Sequence, residues 1–501
     1  MGTFAAIRRD PAALLVVGSL GILAAAVVAD KDVKLIGPLV VLIAITAASH
    51  RSLFRWRSLV GVILAVVLFV PIGRYRLPGS LPFNLELYRV VVAVVLAIWL
   101  ASLLVDSRVK WDSTLFDRPV LLLFACVVMS EIANPGRVNR YGSEVAKTMT
   151  FFLSFVLVYY LVATQVRRRE SIDFLLRFVT IGCAVIGALA IVERRTHFNA
   201  FNHLHIVLPF LSYEPNDRSL LSLFRGGDLR VLGPSEQPIA LGAMLVMILP
   251  ISVYLARTRG RRWTVASVLL LVGALATSSR TALSMILAEF VLFLIVKPRE
   301  TKRLLPLFVP AVIAVHVLAP GALGGLKDAL FPKGGLIAQE SRLAPDANAQ
   351  LAGGRIRQIR PMVTEASHHP FFGEGLGTRI TGFDSPQRNA PILDNQWLNN
   401  MLDVGFVGFG LWIWLIVRSV RLLLRRTRES SGDGDEWLFL GLAASIFAFA
   451  IGMLTFDAFS FTQVYFVFWI VLGLSAAALA ASTAPALAGG QTRLRPRLSE
   501  R

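Results

Sequence analysis

Apolar runs separated by short polar stretches mark out the whole chain. They fall at about 11–29, 33–48, 59–72, 85–105, 119–133, 146–164, 172–192, 236–256, 263–278, 281–296, 304–320, 401–417, 437–456 and 459–482. None shows the strict in-out alternation of a barrel strand, and backbone groups in hydrocarbon must pair within their own segment. The pattern therefore predicts an all-α, polytopic membrane bundle of about fourteen helices of ~17–25 residues, with soft boundaries at the short runs 59–72 and 281–296. Arg8-Arg9 precede the first run, and Val27-Val28-Ala29 imitates a cleavage site. With so many spans following, that run is expected to remain as a first helix.

The charges test the count. Eight short segments, 8–9, 51–57, 106–118, 167–169, 257–262, 297–303, 418–428 and 493–501, hold 28 of the 51 Lys and Arg. All fall on one side of such a bundle, which makes that side the cytoplasm and puts both termini there. The expected organisation is a set of eleven spans over 1–320, interrupted by an extracytoplasmic segment at 194–235. An extracytoplasmic loop at 321–400, three spans over 401–482 and a disordered basic tail at 483–501 follow. Both long segments exceed ordinary connectors. Within the second, Ile356, Ile359, Met362, Val363 and Ala366 share one helical face away from Arg357 and Arg360. This predicts a short amphipathic helix, broken at Pro361, lying on the membrane or serving as a lid. No internal repeat is visible.

Composition removes whole classes of function. Of 501 residues 55% are apolar and 17% charged, with mean hydropathy +0.64, where a soluble domain carries about a quarter charged residues. Soluble enzymes, secreted disulfide scaffolds and disordered chains are excluded. A net charge of +19 in a soluble chain would point to nucleic acid, but here the cations sit in inter-helix clusters and set orientation. Cys126 and Cys183 lie inside apolar runs and read as small buried hydrophobes.

Charged groups at a membrane boundary are costly unless paired or hydrated, so their positions carry information. Arg280, in Thr277-Ser278-Ser279-Arg280-Thr281-Ala282-Leu283, occupies a tight turn between two runs where small residues would suffice. Arg230 precedes Leu232-Gly233-Pro234 and the next run. Two permanent cations at neighbouring outer mouths suit a pyrophosphate-like ligand; snorkelling and loop solvation are the plainer alternatives. Asp394-Asn395-Gln396-Trp397-Leu398-Asn399-Asn400 combines carboxylate, amide and aromatic groups suited to sugars, although an N-cap role for Asp394 competes. Gly373-Glu374-Gly375-Leu376-Gly377 resembles half a nucleotide loop but follows no strand. His368-His369 lack a third metal ligand at helical spacing, and Glu289 lies mid-run without an evident partner.

In that order the blocks resemble the bacterial O-antigen ligase / Wzy-type polysaccharide polymerase superfamily. They are Arg230-Val231-Leu232-Gly233-Pro234-Ser235-Glu236-Gln237-Pro238, Thr277 to Ala282, and the run from Gly354-Arg355 through His369-Pro370-Phe371-Phe372-Gly373-Glu374-Gly375-Leu376-Gly377 to Asp394-Asn395-Gln396-Trp397-Leu398 and Gly405-Phe406-Val407-Gly408. The resemblance covers roughly 225–415 and implies a membrane glycosyltransferase of the C type at the outer face of the bacterial plasma membrane. Its implied donor is an undecaprenyl-diphosphate-linked glycan and its acceptor a sugar hydroxyl, with no cofactor, no metal and no nucleic acid. Other polysaccharide-assembly membrane proteins are implied partners. It implies that Arg230, Arg280 and Arg355 hold the diphosphate, that Asp394 is the acceptor-side base, and that Asn395, Trp397 and Glu374 contact the acceptor. His369 and Glu365 are reserve acid/base groups. Ligases carry His at the position of Asp394, which favours a polymerase of exopolysaccharide or O-antigen repeats. A ligase, a peptidoglycan polymerase of the shape, elongation and division type, and a transporter or flippase remain alternatives. The enzymatic reading expects Arg230, Arg280 and Asp394 to meet at one cavity.

Overall fold

The computed structural model describes residues 55–78, 85–214, 224–225, 228–302, 313, 355–381, 388–430 and 434–490. The runs at 11–29, 33–48 and 304–320, the loop up to 354 and the end of the basic tail lie outside these residues. Helices occupy every other predicted run: α1 (Trp56–Phe69), α2 (Leu87–Val105), α3 (Asp117–Ala133), α4 (Gly142–Gln165), α5 (Arg169–Thr196), α6 (Pro238–Arg259), α7 (Arg262–Ala276) and α8 (Arg280–Val296). After α9 (Arg355–Ala366) come α10 (Gln396–Glu429), α11 (Asp435–Gly452) and α12 (Thr462–Gly490). Strand is limited, among the described residues, to two antiparallel pairs, Tyr75–Arg76 with Ser212–Tyr213 and Phe224–Arg225 with Asp228–Leu229.

Seven of these helices are long and apolar enough to cross a membrane, against the fourteen spans expected from hydropathy. The difference is partly length. At about 1.5 Å per residue, α1 with 14 residues and α7 with 15 fall short of a full crossing. Helix α12 runs to Gly490, past the expected start of the tail at 483. Helix α9 is continuous through Pro361 rather than broken there.

Helix α6 is the hub. It is apolar on all sides, so every face must be covered, and it packs against α5, α7, α8, α11 and α12. Gly441 of α11 lies against the Pro250 carbonyl, where a Cβ would stand 2.9 Å from that oxygen. An aromatic cluster joins α4, α10 and α12: Trp412, Tyr465 and Trp469 contact Phe155, Phe459 and Phe468. Both cysteines are buried and free.

The polar contacts sort by end of the bundle. At one end Arg167 meets Asp112 (2.9 Å), Arg169 meets Asp435 (2.6 Å), Lys297 meets Glu436 (2.6 Å) and Arg418 Nε donates to the Leu115 carbonyl (2.9 Å). These are the arginine-rich connectors. The opposite end gathers 70–78, 85–86, 134–144, 197–214, 228–237, 277–280, 367–381, 388–395 and 453–461.

Candidate functional site

That second end is organised by a break in α10. Gly405 has φ 70°, ψ −175°, a conformation reserved for glycine, and it interrupts the helix. The break strands the Leu402 and Asp403 carbonyls and the Phe406 N–H. A loop that follows α9 supplies all three partners: Glu374 N donates to Leu402 O (2.8 Å), Gly375 N to Asp403 O (3.1 Å), and Phe406 N to Pro370 O (2.8 Å). Gly373 must be glycine because a Cβ there would lie 2.5 Å from the Leu402 carbonyl oxygen. Ser130 Oγ and Asn134 Nδ2 of α3 and its C-cap secure the same loop from behind. The glycines of Gly373-Glu374-Gly375-Leu376-Gly377 thus serve close backbone docking.

The break aims the first part of α10 into a cavity of about 580 Å³. Its polar wall is a connected set. Arg379 Nη1 donates to Asn399 Oδ1 (3.1 Å) and pairs with Asp403 Oδ1 (3.4 Å), while Asn399 Nδ2 donates to Asp457 Oδ1 (3.0 Å). Burial, with the nearby Asp403 and Asp394 carboxylates, pushes Asp457 up to about 6, against the lowering effect of Ser460 and Arg379. Across the cavity stand Glu86, Arg89, Lys147 and Glu236. Arg89 pairs with Glu86 at 3.0 Å and lies over the Phe151 ring. Desolvation, reinforced by Glu86, raises Glu236 to about 8. Tyr88, Phe155, Phe459 and Tyr465 supply aromatic surface. Among the described residues no three His, Cys, Asp or Glu gather to hold a metal.

The arginine pair is built beside this cavity. Glu193, at the end of α5, accepts from Leu232 N (3.0 Å) and Gly233 N (2.9 Å), and the buried Arg74 donates to Gly233 O and Ser235 O (2.7 Å each). Clamped from both sides, the segment delivers the buried Arg230, whose Nε donates to Thr277 O at 3.1 Å. Arg280 opens α8 immediately after that turn, behind the N-cap Ser279. The next residue, Thr281, is bonded through its Oγ1 to Thr455 Oγ1 (2.8 Å) in the loop that carries Asp457.

The structure brings Arg230 against the Arg280 turn, but neither arginine nor Asp394 lines the cavity. Asp394 is exposed and precedes the helix; Asn395 is the N-cap, accepting from Trp397 N (3.0 Å) and Leu398 N (3.2 Å). Trp397 donates its indole N–H to Ala450 O (2.9 Å) and packs edge-on against Phe409. Glu374 is buried against Arg137. Glu365 and His369 are exposed around the end of α9, where Met362 and Ala366 bury against Leu393, Leu398 and Leu402. Arg355 is the first residue of α9, and its side chain lies outside the described atoms.

Arg379 and Asp457 went unremarked in the sequence, and Asn399 entered only as part of the run Asp394 to Asn400. An acid between the runs 437–456 and 459–482 was the available signal for Asp457, since so short a connector has no need of a charge.

Fold and site define a multi-pass helical membrane protein with an acidic, aromatic-lined cavity at the end away from its arginine-rich connectors. Residues 265–413, from α7 through the α10 break, match the family model described as O-antigen ligase. Over that stretch the chain is similar to the O-antigen ligase / Wzy-type family, a likeness that points to O-antigen-ligase-type glycan transfer. No curated protein matches the chain.

Proposed function

We propose that the protein is a polyprenyl-diphosphate-dependent glycosyltransferase of the bacterial plasma membrane, working on its extracytoplasmic face. Outside the cell no nucleotide sugar is at hand, so the donor must arrive already activated on a lipid diphosphate such as undecaprenyl diphosphate. In this reading Arg230 and Arg280 hold the diphosphate, and the cavity receives the acceptor glycan, its aromatic rings facing sugar faces and its amides and carboxylates facing hydroxyls. The acceptor oxygen attacks the anomeric carbon as the bond to the diphosphate oxygen breaks, so a single displacement inverts configuration. The arginines neutralise charge growing on the leaving diphosphate. The hydroxyl proton passes to a carboxylate. Asp457, with its affinity for protons raised by burial, suits that task better than an ordinary Asp near 3.9; Asp394, the base the resemblance implied, is exposed outside the cavity lining.

The observation that carries the reading is the single loop 453–461. It is bonded on one side to the turn holding Arg280 and on the other to Asn399 of the acidic wall. Repeated transfer onto the same class of acceptor makes the protein a polymerase of exopolysaccharide or O-antigen repeats, a reading favoured by Asp at 394. The family description favours a second reading, one-step ligation of preformed glycan to a lipid or protein acceptor. Purified protein with a lipid-linked donor separates them: a ladder of lengths means polymerase, and a single transfer product means ligase. Labelled substrate crossing proteoliposomes without covalent product would instead mean transport. Arg280→Ala in cells is expected to accumulate lipid-linked units and abolish product; unchanged product from a normally inserted variant would sink the reading.

A further inference from the structure

Helices α5 and α7 touch backbone to backbone where Gly187 meets Gly273: a Cβ on Gly273 would stand 2.7 Å from the Gly187 Cα. Toward the arginine-rich end a groove of about 560 Å³ opens between them, with Arg177, Ile181 and Val185 on one wall and Arg262, Trp263 and Val265 on the other. Ile181 and Val265 are more than half exposed, on helices that face hydrocarbon. Trp263 is the opposite case. It is only 6% exposed, yet its indole N–H finds no acceptor among the described residues, a condition buried donors rarely tolerate without an outside partner.

The cations complete the pattern. Arg262 opens α7, and Arg177 lies about two turns inside α5 from the same end. Arg177 Nε donates to the Asp173 carbonyl at 3.1 Å, and neither arginine forms an ion pair among the described residues. Asp173 itself faces Arg259, Arg169 and Tyr254, and no carboxylate lines the groove. Apolar walls, two cations and one buried N–H at the mouth match an amphiphile with an anionic head and a hydrocarbon tail. We propose that this groove binds one anionic phospholipid from the leaflet at the arginine-rich end, its phosphate between Arg177 and Arg262 and an acyl chain along Ile181 and Val185. A zwitterionic lipid is disfavoured because its ammonium group would face the same two cations.

Native mass spectrometry of the full chain in detergent, titrated with phosphatidylglycerol or phosphatidylcholine, tests this. The wild type is expected to retain one phosphatidylglycerol per chain, preferred over phosphatidylcholine by about tenfold or more. Arg177→Gln/Arg262→Gln should erase that preference, whereas Arg177→Lys/Arg262→Lys should keep it. Val185→Trp, which fills the groove and leaves the charges alone, should abolish retention. Equal retention in the double Gln variant would overturn the proposal, as would loss in the Lys variant. So would a wild type that holds no lipid because another part of the chain covers the groove, or a dimer that Val185→Trp dissolves because a second copy covers it.

Discussion

Gly405→Ala is the sharpest test of how the site is built. At φ 70°, ψ −175° a side chain costs on the order of 1–3 kcal/mol in backbone strain alone. The added Cβ would collide with the Phe371 carbonyl oxygen and lie 2.6 Å from Phe372 N, so the docking loop must withdraw. Withdrawal breaks the bonds from Phe406 N, Glu374 N and Gly375 N, each contributing about 0.5–1.5 kcal/mol. Together these losses come to about 3–7 kcal/mol, comparable with the whole stability of many proteins. Gly410 is the internal control. It is helical, and a Cβ there meets nothing within 4 Å, so Gly410→Ala should be neutral or stabilising by about 0.5–1 kcal/mol. Thermal unfolding of both variants in the same detergent is the assay. Equal melting temperatures would mean that the break in α10 does not depend on residue 405 and that the docking argument is wrong.

Asp457→Asn probes the acidic wall through pH. The native pKa of Asp457 is raised from 3.8 to about 6, so the fold favours its protonated form. That contribution is present at low pH and fades as pH rises through 6. The neutral variant should therefore melt above the parent at pH 8 and converge with it near pH 4; a pH-independent difference would refute the assignment. Arg379→Leu leaves Asp403 facing Asn399 without its cation and is expected to cost about 3 kcal/mol. Adding Asp403→Asn should recover most of the loss, and simple additivity in the double-mutant cycle would count against the pairing.

Hydropathy located the long helices α1–α8 and α10–α12, because burial of apolar stretches in a bilayer is written into runs of one residue class. It does not measure length, so a run of 14 or 15 apolar residues such as α1 or α7 reads like a full crossing. The polar side was less legible. Arg230 and Arg280 stood out as cations at apolar boundaries, and their turns do meet. Trp397 and Asn395 stood out equally, yet their polar atoms are taken up by Ala450 O and by the helix N-terminus. Nothing local distinguishes an amide that caps a helix from one that meets a sugar. Arg379 escaped notice because its significance lies in Asn399 and Asp403, which are some twenty positions further along the chain and reach it only through the break at Gly405.

That break also explains how the arginine turn and the cavity wall come to share one loop. A helix entering the bundle without interruption would carry Asn399 and Asp403 through a straight, self-bonded first turn, with no demand on its neighbours. Because the first part of α10 starts at its Asn395 cap and breaks at Gly405, its leading end must be tied down, and loop 453–461 does this. Gln396 N donates to Met453 O (2.8 Å) and Phe456 O (3.2 Å), and Gln396 Oε1 accepts from Phe459 N (2.8 Å). The same loop then offers Asp457 to Asn399 and Thr455 to Thr281. With its backbone committed to α10, it has little freedom to shift toward one partner without dragging the other. Any displacement of the Arg280 turn is thereby felt at Asp457, and under the proposed function that link would couple the leaving diphosphate to the attacking hydroxyl.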